Sequence, residues 1–213
     1  MGLSGKNQDS RSAFTLDSEV DELSTKFAGP VNLCGWSLGG IIAMRWAARE
    51  PRKIKRLVLV ASTPCFAERE DWAFGMSRNT LQQFAVELEN NFAATLRRFI
   101  ALQVRGSSGE RELLSVLRKQ LLSRGEPQLE ALRGGLAILR DADLRDLLPQ
   151  IEQPILVIFG ERDKLTPPEA SYYLGRTMKN ARLVEIEGAA HTPFLSHSKI
   201  FIEHVRSFLH ERV

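Results

Sequence analysis

The chain has 213 residues, 43% of them hydrophobic and 26% charged, with 29 Lys and Arg against 26 Asp and Glu for a net charge of +3. That length supports one domain with a sizeable core; the mildly basic charge says little by itself, and no nucleic-acid partner is expected. No run approaches the ~20 apolar residues of a membrane span, no basic-then-apolar leader opens the sequence, and the two cysteines, Cys34 and Cys65, form no disulfide framework. A cytoplasmic monomer without membrane contact is expected.

Residues 1–11 are polar and Gly/Ser-rich and read as loop. Leu16, Val20, Leu23 and Phe27 recur at helical spacing, and Gly29-Pro30 closes that helix. Val31 to Trp36 is a short apolar strand, with Cys34 expected as a small buried hydrophobe. A sharp turn and a helix through Ala47 follow. Arg56 to Ala61 is apolar almost throughout, as in a parallel strand covered on both faces, and Ser62 to Phe66 is its exit loop.

From about Arg78 to Arg140 strand signals vanish. Leu81, Phe84, Leu88, Phe92, Leu96, Phe99 and Ile100 form one helical stripe, and Leu113, Leu114, Leu117, Leu121 and Leu122 form another. Gly106 to Gly109 separates the two stripes. Gly125-Glu126-Pro127 ends the second, and a third helix is expected over Gln128 to Leu139. Strand–helix alternation then resumes: strand Pro154–Gly160, helix Pro167–Met178, strand Ala181–Ile186, and a final helix Ser196–Arg212 with Phe201, Val205, Phe208 and Leu209 on its apolar face. This is an α/β pattern: a mainly parallel sheet with helices on both faces and an all-helical insert. The core comprises 1–66 and 141–213, and the insert 67–140.

The chemistry centres on Gly35-x-Ser37-x-Gly39, at the junction of the first strand and its helix. A serine on a strained strand-to-helix turn presents its hydroxyl outside the sheet. Small flanking residues let the two backbones pass close together. The helix N-terminus offers free N–H groups to a developing oxyanion, the N–H of Leu38 first among them. A serine hydroxyl needs a base, and the base needs an orienting acid. Asp163 follows the strand ending at Gly160, where open parallel sheets carry functional groups, with Glu161 as its competitor. His191 lies in the small apolar loop after the last strand. His204 and His210 fit the surface of the terminal helix, and His197 is a weaker alternative to His191. No metal-ligand spacing and no cofactor motif is present.

The residues resemble α/β hydrolases and, within that fold, the family of pimeloyl-[acyl-carrier protein] methyl ester esterases of biotin synthesis. The resemblance runs from about Val31 to the C-terminus. It rests on Gly35-Trp36-Ser37-Leu38-Gly39-Gly40, Ala61-Ser62-Thr63-Pro64-Cys65-Phe66, Arg98-Phe99-Ile100-Ala101-Leu102-Gln103, Gly134-Gly135-Leu136-Ala137-Ile138-Leu139, Asp143-Leu144-Arg145, and the segment from Ala189 to His197. It implies a catalytic triad of Ser37, Asp163 and His191, and an acyl chain held near Trp36, Leu38 and Phe99. It also implies a helical cap formed by the insert, which in the family docks an acidic carrier protein. Here that insert carries Arg97, Arg98, Arg105, Arg111, Arg118, Lys119 and Arg124, with Arg97, Arg98, Arg111 and Arg118 as the tentative docking set. The expected substrate is a small-molecule or carrier-linked ester. The family's early strands and His-Gly loop have no clear match in residues 1–30, apart from a weak one at Gly2-Leu3-Ser4-Gly5. An N-terminally shortened core, with Leu38 lacking a second oxyanion donor, is therefore expected. A weakly active carrier-binding module, a carbon–carbon bond hydrolase and a lactonase remain alternatives, because a triad does not fix the substrate.

Overall fold

A computed structural model describes residues 14–123, 125 and 128–211. Residues 1–11 with Gly2-Leu3-Ser4-Gly5, Arg124, Glu126-Pro127 and Arg212 lie outside the described residues. Helix α1 (Leu16–Lys26) begins at a capping box: the Thr15 hydroxyl accepts the Ser18 N–H at 3.1 Å, and the Ser18 hydroxyl accepts the Thr15 N–H at 2.9 Å. Strand β1 (Val31–Trp36), helix α2 (Leu38–Arg49) and strand β2 (Ile54–Val60) follow. Asp17 and Asp21 pair with Arg45 and Arg49 at 2.9 and 2.7 Å, which fastens α1 to α2.

Between β2 and the next strand lie helices α3 (Arg78–Asn90), α4 (Phe92–Val104), α5 (Glu110–Leu122) and α6 (Leu129–Asp141). The chain then forms β3 (Ile155–Gly160), α7 (Pro168–Thr177), β4 (Ala181–Ile186), the short α8 (Pro193–Ser196) and α9 (Ser198–His210). The four strands are all parallel, in the order β1-β2-β3-β4. Trp36 pairs with Val60, Val60 with Ile158 and Gly160 with Ile186, so the carboxyl ends of the strands form one rim.

The two central strands send alternate residues into two cores, as the period-two geometry of a strand requires. Leu57, Leu59, Ile155, Val157 and Phe159 join α2 on one face. Val58, Val60, Leu156 and Ile158 meet Phe201, Val205, Phe208 and Leu209 of α9 on the other. A third cluster, with Ile100, Val104 and Leu117 at its centre, joins α4 and α5 to Leu195 of α8. The helical segment is thereby seated beside the loop that carries His191. Among the described residues no helix is long and apolar enough to cross a membrane.

Several boundaries differ from the sequence reading. Strand β2 starts two residues early, at Ile54, and stops at Val60, because Ala61 turns into the left-handed region with φ 43°. The long helical stripe from Leu81 to Ile100 is two helices. Asn91, at φ −151° and ψ 72°, breaks it and accepts the Ala94 N–H on its side chain at 3.2 Å, capping α4. The terminal helix is likewise interrupted at His197, with φ −130°. Cys34 is exposed rather than buried. Strand β1 lies at one end of the described sheet and alternates in exposure, with Asn32 and Cys34 on its outer face, unlike the fully covered β3.

Candidate active site

Ser37 joins β1 to α2 with φ 53° and ψ −121°, a conformation that L-residues avoid unless the surroundings impose it. Its N–H donates to the Val60 carbonyl at 3.0 Å. Its own carbonyl accepts the Gly40 N–H at 2.9 Å and the Ser62 hydroxyl at 2.9 Å. The crowding that demands glycine falls at two places. A Cβ on Gly35 would lie 2.4 Å from the Gly39 carbonyl oxygen, and one on Gly40 would lie 2.2 Å from Ser62 Oγ. Gly39 itself has open space around its missing side chain, contrary to the expectation that both flanks of the serine need to be bare. Leu38 opens α2, so its N–H belongs to the first turn, which has no intrahelical acceptor.

Asp163 sits beyond β3 and His191 beyond β4, both almost wholly buried at 3% and 1% exposure. The structure brings them together: His191 Nδ1 lies 2.8 Å from Asp163 Oδ2. The carboxylate has further donors. Leu165 and Thr166 N–H groups reach Oδ1 at 2.9 and 3.0 Å, and the Thr166 hydroxyl reaches Oδ2 at 2.8 Å. Burial alone would push this carboxyl up. The imidazole's charge and hydrogen bond, with the Thr166 donors, outweigh burial and hold it below its ordinary value. An ionised Asp163 accepts the Nδ1–H of the ring in either protonation state, and when the ring is neutral this leaves Nε2 as the acceptor. Nε2 is buried and has no hydrogen-bond partner among the described residues.

Glu161, the competing carboxylate, accepts the Gly188 N–H at 2.8 Å instead and so ties the backbone of the histidine loop. His197 bonds Ser196 Oγ at 2.9 Å, at the start of α9. Trp36 braces the same loop from the elbow. Its indole N–H donates to the His191 carbonyl at 2.9 Å, and its ring stands 5.7 Å from the imidazole and edge-on to Phe194 at 5.1 Å. Among the described residues no three His, Cys, Asp or Glu side chains are grouped as metal ligands.

The helical segment approaches through α4, where the Gln103 carbonyl lies 3.5 Å from Thr192 Oγ1, next to His191. Phe99 is half-buried on α4, its ring 5.8 Å from that of Phe84. Leu38 is half-buried and packs against the α2-side core. Arg97, Arg98 and Arg111 are exposed, with Arg98 paired to Glu87. Arg118 is half-buried, and its Nε is out of solvent without a partner among the described residues.

Sequence reasoning gives Thr166, Ser62 and Gly40 no role, although Ser62 and Gly40 lie in segments that carry the resemblance. Thr166 could have been found, since Asp-x-x-Thr is a local side-chain-to-backbone turn. Ser62 could not, because its position depends on the left-handed Ala61.

A strand-end serine in the left-handed region, leading into a helix on a parallel sheet with an acid and a histidine on the same rim, defines an α/β hydrolase. Comparison with known proteins agrees. The sequence profile described as "alpha/beta hydrolase fold" matches residues 23–198. The chain is 42% identical over 189 residues to the pimeloyl-[acyl-carrier protein] methyl ester esterase of Nitrosomonas europaea, covering 88% of this chain and 75% of that protein. It is 41% identical to the esterase of the same name from Chromobacterium violaceum, with 89% and 74% covered. Among solved structures, an esterase from Exiguobacterium antarcticum superposes with a TM-score of 0.86 at 22% identity, covering 97% of this chain and 78% of that one. The enol-lactonase of Burkholderia xenovorans gives a TM-score of 0.80 at 25% identity, with 97% and 77% covered. The chain belongs to the α/β-hydrolase family and, within it, to the pimeloyl-[acyl-carrier protein] methyl ester esterases.

The elbow's packing has a direct test. Gly35→Ala is expected to destabilise the protein by about 1–3 kcal/mol or more through a backbone clash. Gly39→Ala, on a helix with open space, is expected to be neutral or to stabilise slightly. Urea melts of the two variants side by side check the contrast.

Proposed function

We propose that the chain is a serine carboxylesterase and that it hydrolyses the methyl ester of a dicarboxylic acyl chain carried on an acyl-carrier protein, the pimeloyl ester of its relatives' names, releasing methanol in the cytoplasm. The observation that most supports this reading is the buried Asp163–His191 pair at 2.8 Å, on the same rim as the left-handed Ser37. In it Ser37 Oγ attacks the ester carbonyl while His191 Nε2 takes its proton. Asp163 holds the ring and stabilises the imidazolium. The Leu38 N–H donates to the oxyanion. The imidazolium returns the proton to methoxide as the carbonyl–oxygen bond breaks. Water, deprotonated by His191, then attacks the acyl carbonyl, and the imidazolium returns that proton to Ser37 Oγ as the acyl–Oγ bond breaks.

In this reading residues 67–140 form a cap, with Phe99, Trp36 and Leu38 flanking the acyl chain. Exposed Arg97, Arg98 and Arg111, together with half-buried Arg118, would meet the acidic carrier. Charge of this kind governs encounter and register more than intrinsic affinity.

Turnover of a short-chain p-nitrophenyl ester is expected to vanish in Ser37→Ala and His191→Ala and to fall about 10^4-fold in Asp163→Asn, where the wrong tautomer is held. Rates equal to wild type in Ser37→Ala would refute the assignment. Arg111→Glu is expected to leave that small-ester turnover unchanged while lowering kcat/KM for the carrier-linked ester about 10-fold at low salt, an effect that fades as salt is raised. A loss that is the same at all salt concentrations would count against docking at this surface.

A further inference from the structure

Among the described residues two non-glycines have positive φ, Ser37 at 53° and Ala61 at 43°. They are neighbours in space by construction of the sheet. Trp36 pairs with Val60 in the parallel register, so Ser37 and Ala61 are the first residues past the ends of adjacent strands. Strained backbone persists only where contacts over-determine it. The contacts here are explicit: the Ser37 N–H bonds the Val60 carbonyl at 3.0 Å, and the Ala61 N–H bonds the Ile158 carbonyl at 2.8 Å. The residue that follows this second left-handed turn is Ser62. It is fully buried, and its hydroxyl donates to the Ser37 carbonyl at 2.9 Å.

That carbonyl belongs to the peptide joining Ser37 to Leu38. The unit is planar and trans, so its N–H, that of Leu38, points opposite to its C=O. Two donors hold the oxygen from behind, Ser62 Oγ and Gly40 N, each at 2.9 Å. They fix the plane of the peptide. They also polarise it, which strengthens the N–H on its far side as a donor. Gly40 makes room for this arrangement, since a Cβ there would lie 2.2 Å from Ser62 Oγ.

We propose that Ser62 is a positioning residue for ester hydrolysis: acting through the Ser37 carbonyl, its hydroxyl sets the direction and donor strength of the Leu38 N–H toward the oxyanion. The proposal rests on the reading of Ser37 as nucleophile. Charge on the oxyanion develops in the transition state, so the effect belongs in kcat. A contribution to ground-state binding would appear in KM alone.

The experiment measures kcat and KM for p-nitrophenyl butyrate in wild type, Ser62→Ala, Ser62→Cys, Ser62→Thr and Ser37→Ala, with a thermal melt of each. Removing an oxyanion donor outright costs ~100–1000-fold, and loosening one is expected to cost about 10-fold in kcat with KM held within about 2-fold. Ser62→Ala and the near-isosteric Ser62→Cys, a weak donor, are both expected to show this loss. Ser62→Thr, which keeps the hydroxyl, is expected to recover most of it. If the alanine chain does not fold, the cysteine chain carries the test. Wild-type kcat in a folded Ser62→Ala or Ser62→Cys, with Ser37→Ala inactive, overturns the positioning role and leaves the esterase reading intact. Turnover that survives in Ser37→Ala, or is missing from wild type, overturns the esterase reading and this proposal with it.

Discussion

The hydrogen bond between Asp163 and His191, 2.8 Å long between two almost wholly buried side chains, ties together the loops that follow β3 and β4. Taking a carboxylate out of water is costly unless charge and donors replace its hydration. Asp163 is repaid by the imidazole, by the Thr166 hydroxyl and by two backbone N–H groups, all within 3.0 Å. Those donors come from two loops that belong to different strands. They meet because β3 and β4 are parallel and in register, with Gly160 beside Ile186. The sheet thus acts as a ruler that delivers loop residues far apart in the chain to one rim.

The same ruler delivers the elbow. The ends of β1 and β2 coincide, and both strands leave the sheet through left-handed non-glycine residues. Strain at one site would be easily relieved by local rearrangement. Here the Ser62 side-chain hydroxyl donates to the Ser37 backbone carbonyl, and the Trp36 indole fastens the elbow to the histidine loop through the His191 carbonyl. The Ser37 turn, the Asp163–His191 pair and the loop braces are therefore mechanically one unit, packed on β2 and β3, which are nearly solvent-free along their length.

What the sequence revealed follows from how local each signal is. Ser37 and Asp163 stand out as candidates because each follows a short strand-like run, and His191 because it sits in a small apolar loop after the last one. The helical segment was visible from its leucine and phenylalanine stripes. The break at Asn91 was not, because the apolar period runs straight through a residue that caps rather than continues the helix. Cys34 was misplaced because its exposure depends on which strands flank β1, and period-two alternation cannot say which face is covered. The Ser62–Ser37 bond and the brace made by Trp36 are not legible in the sequence for a deeper reason. Both are long-range contacts, one set by a left-handed alanine that no residue preference suggests, the other spanning 155 positions in the chain.

The helical segment touches this unit at its histidine loop, where Leu195 packs against α4 and α5 and the Gln103 carbonyl approaches Thr192. The central claim is that Ser37 is a nucleophile driven by the His191–Asp163 pair. Mass spectrometry after treatment with a fluorophosphonate tests it most directly. One phosphonyl group per chain is expected, located on Ser37, with labelling at least ~1000-fold slower in His191→Ala. Labelling elsewhere, or at an unchanged rate without His191, would contradict it.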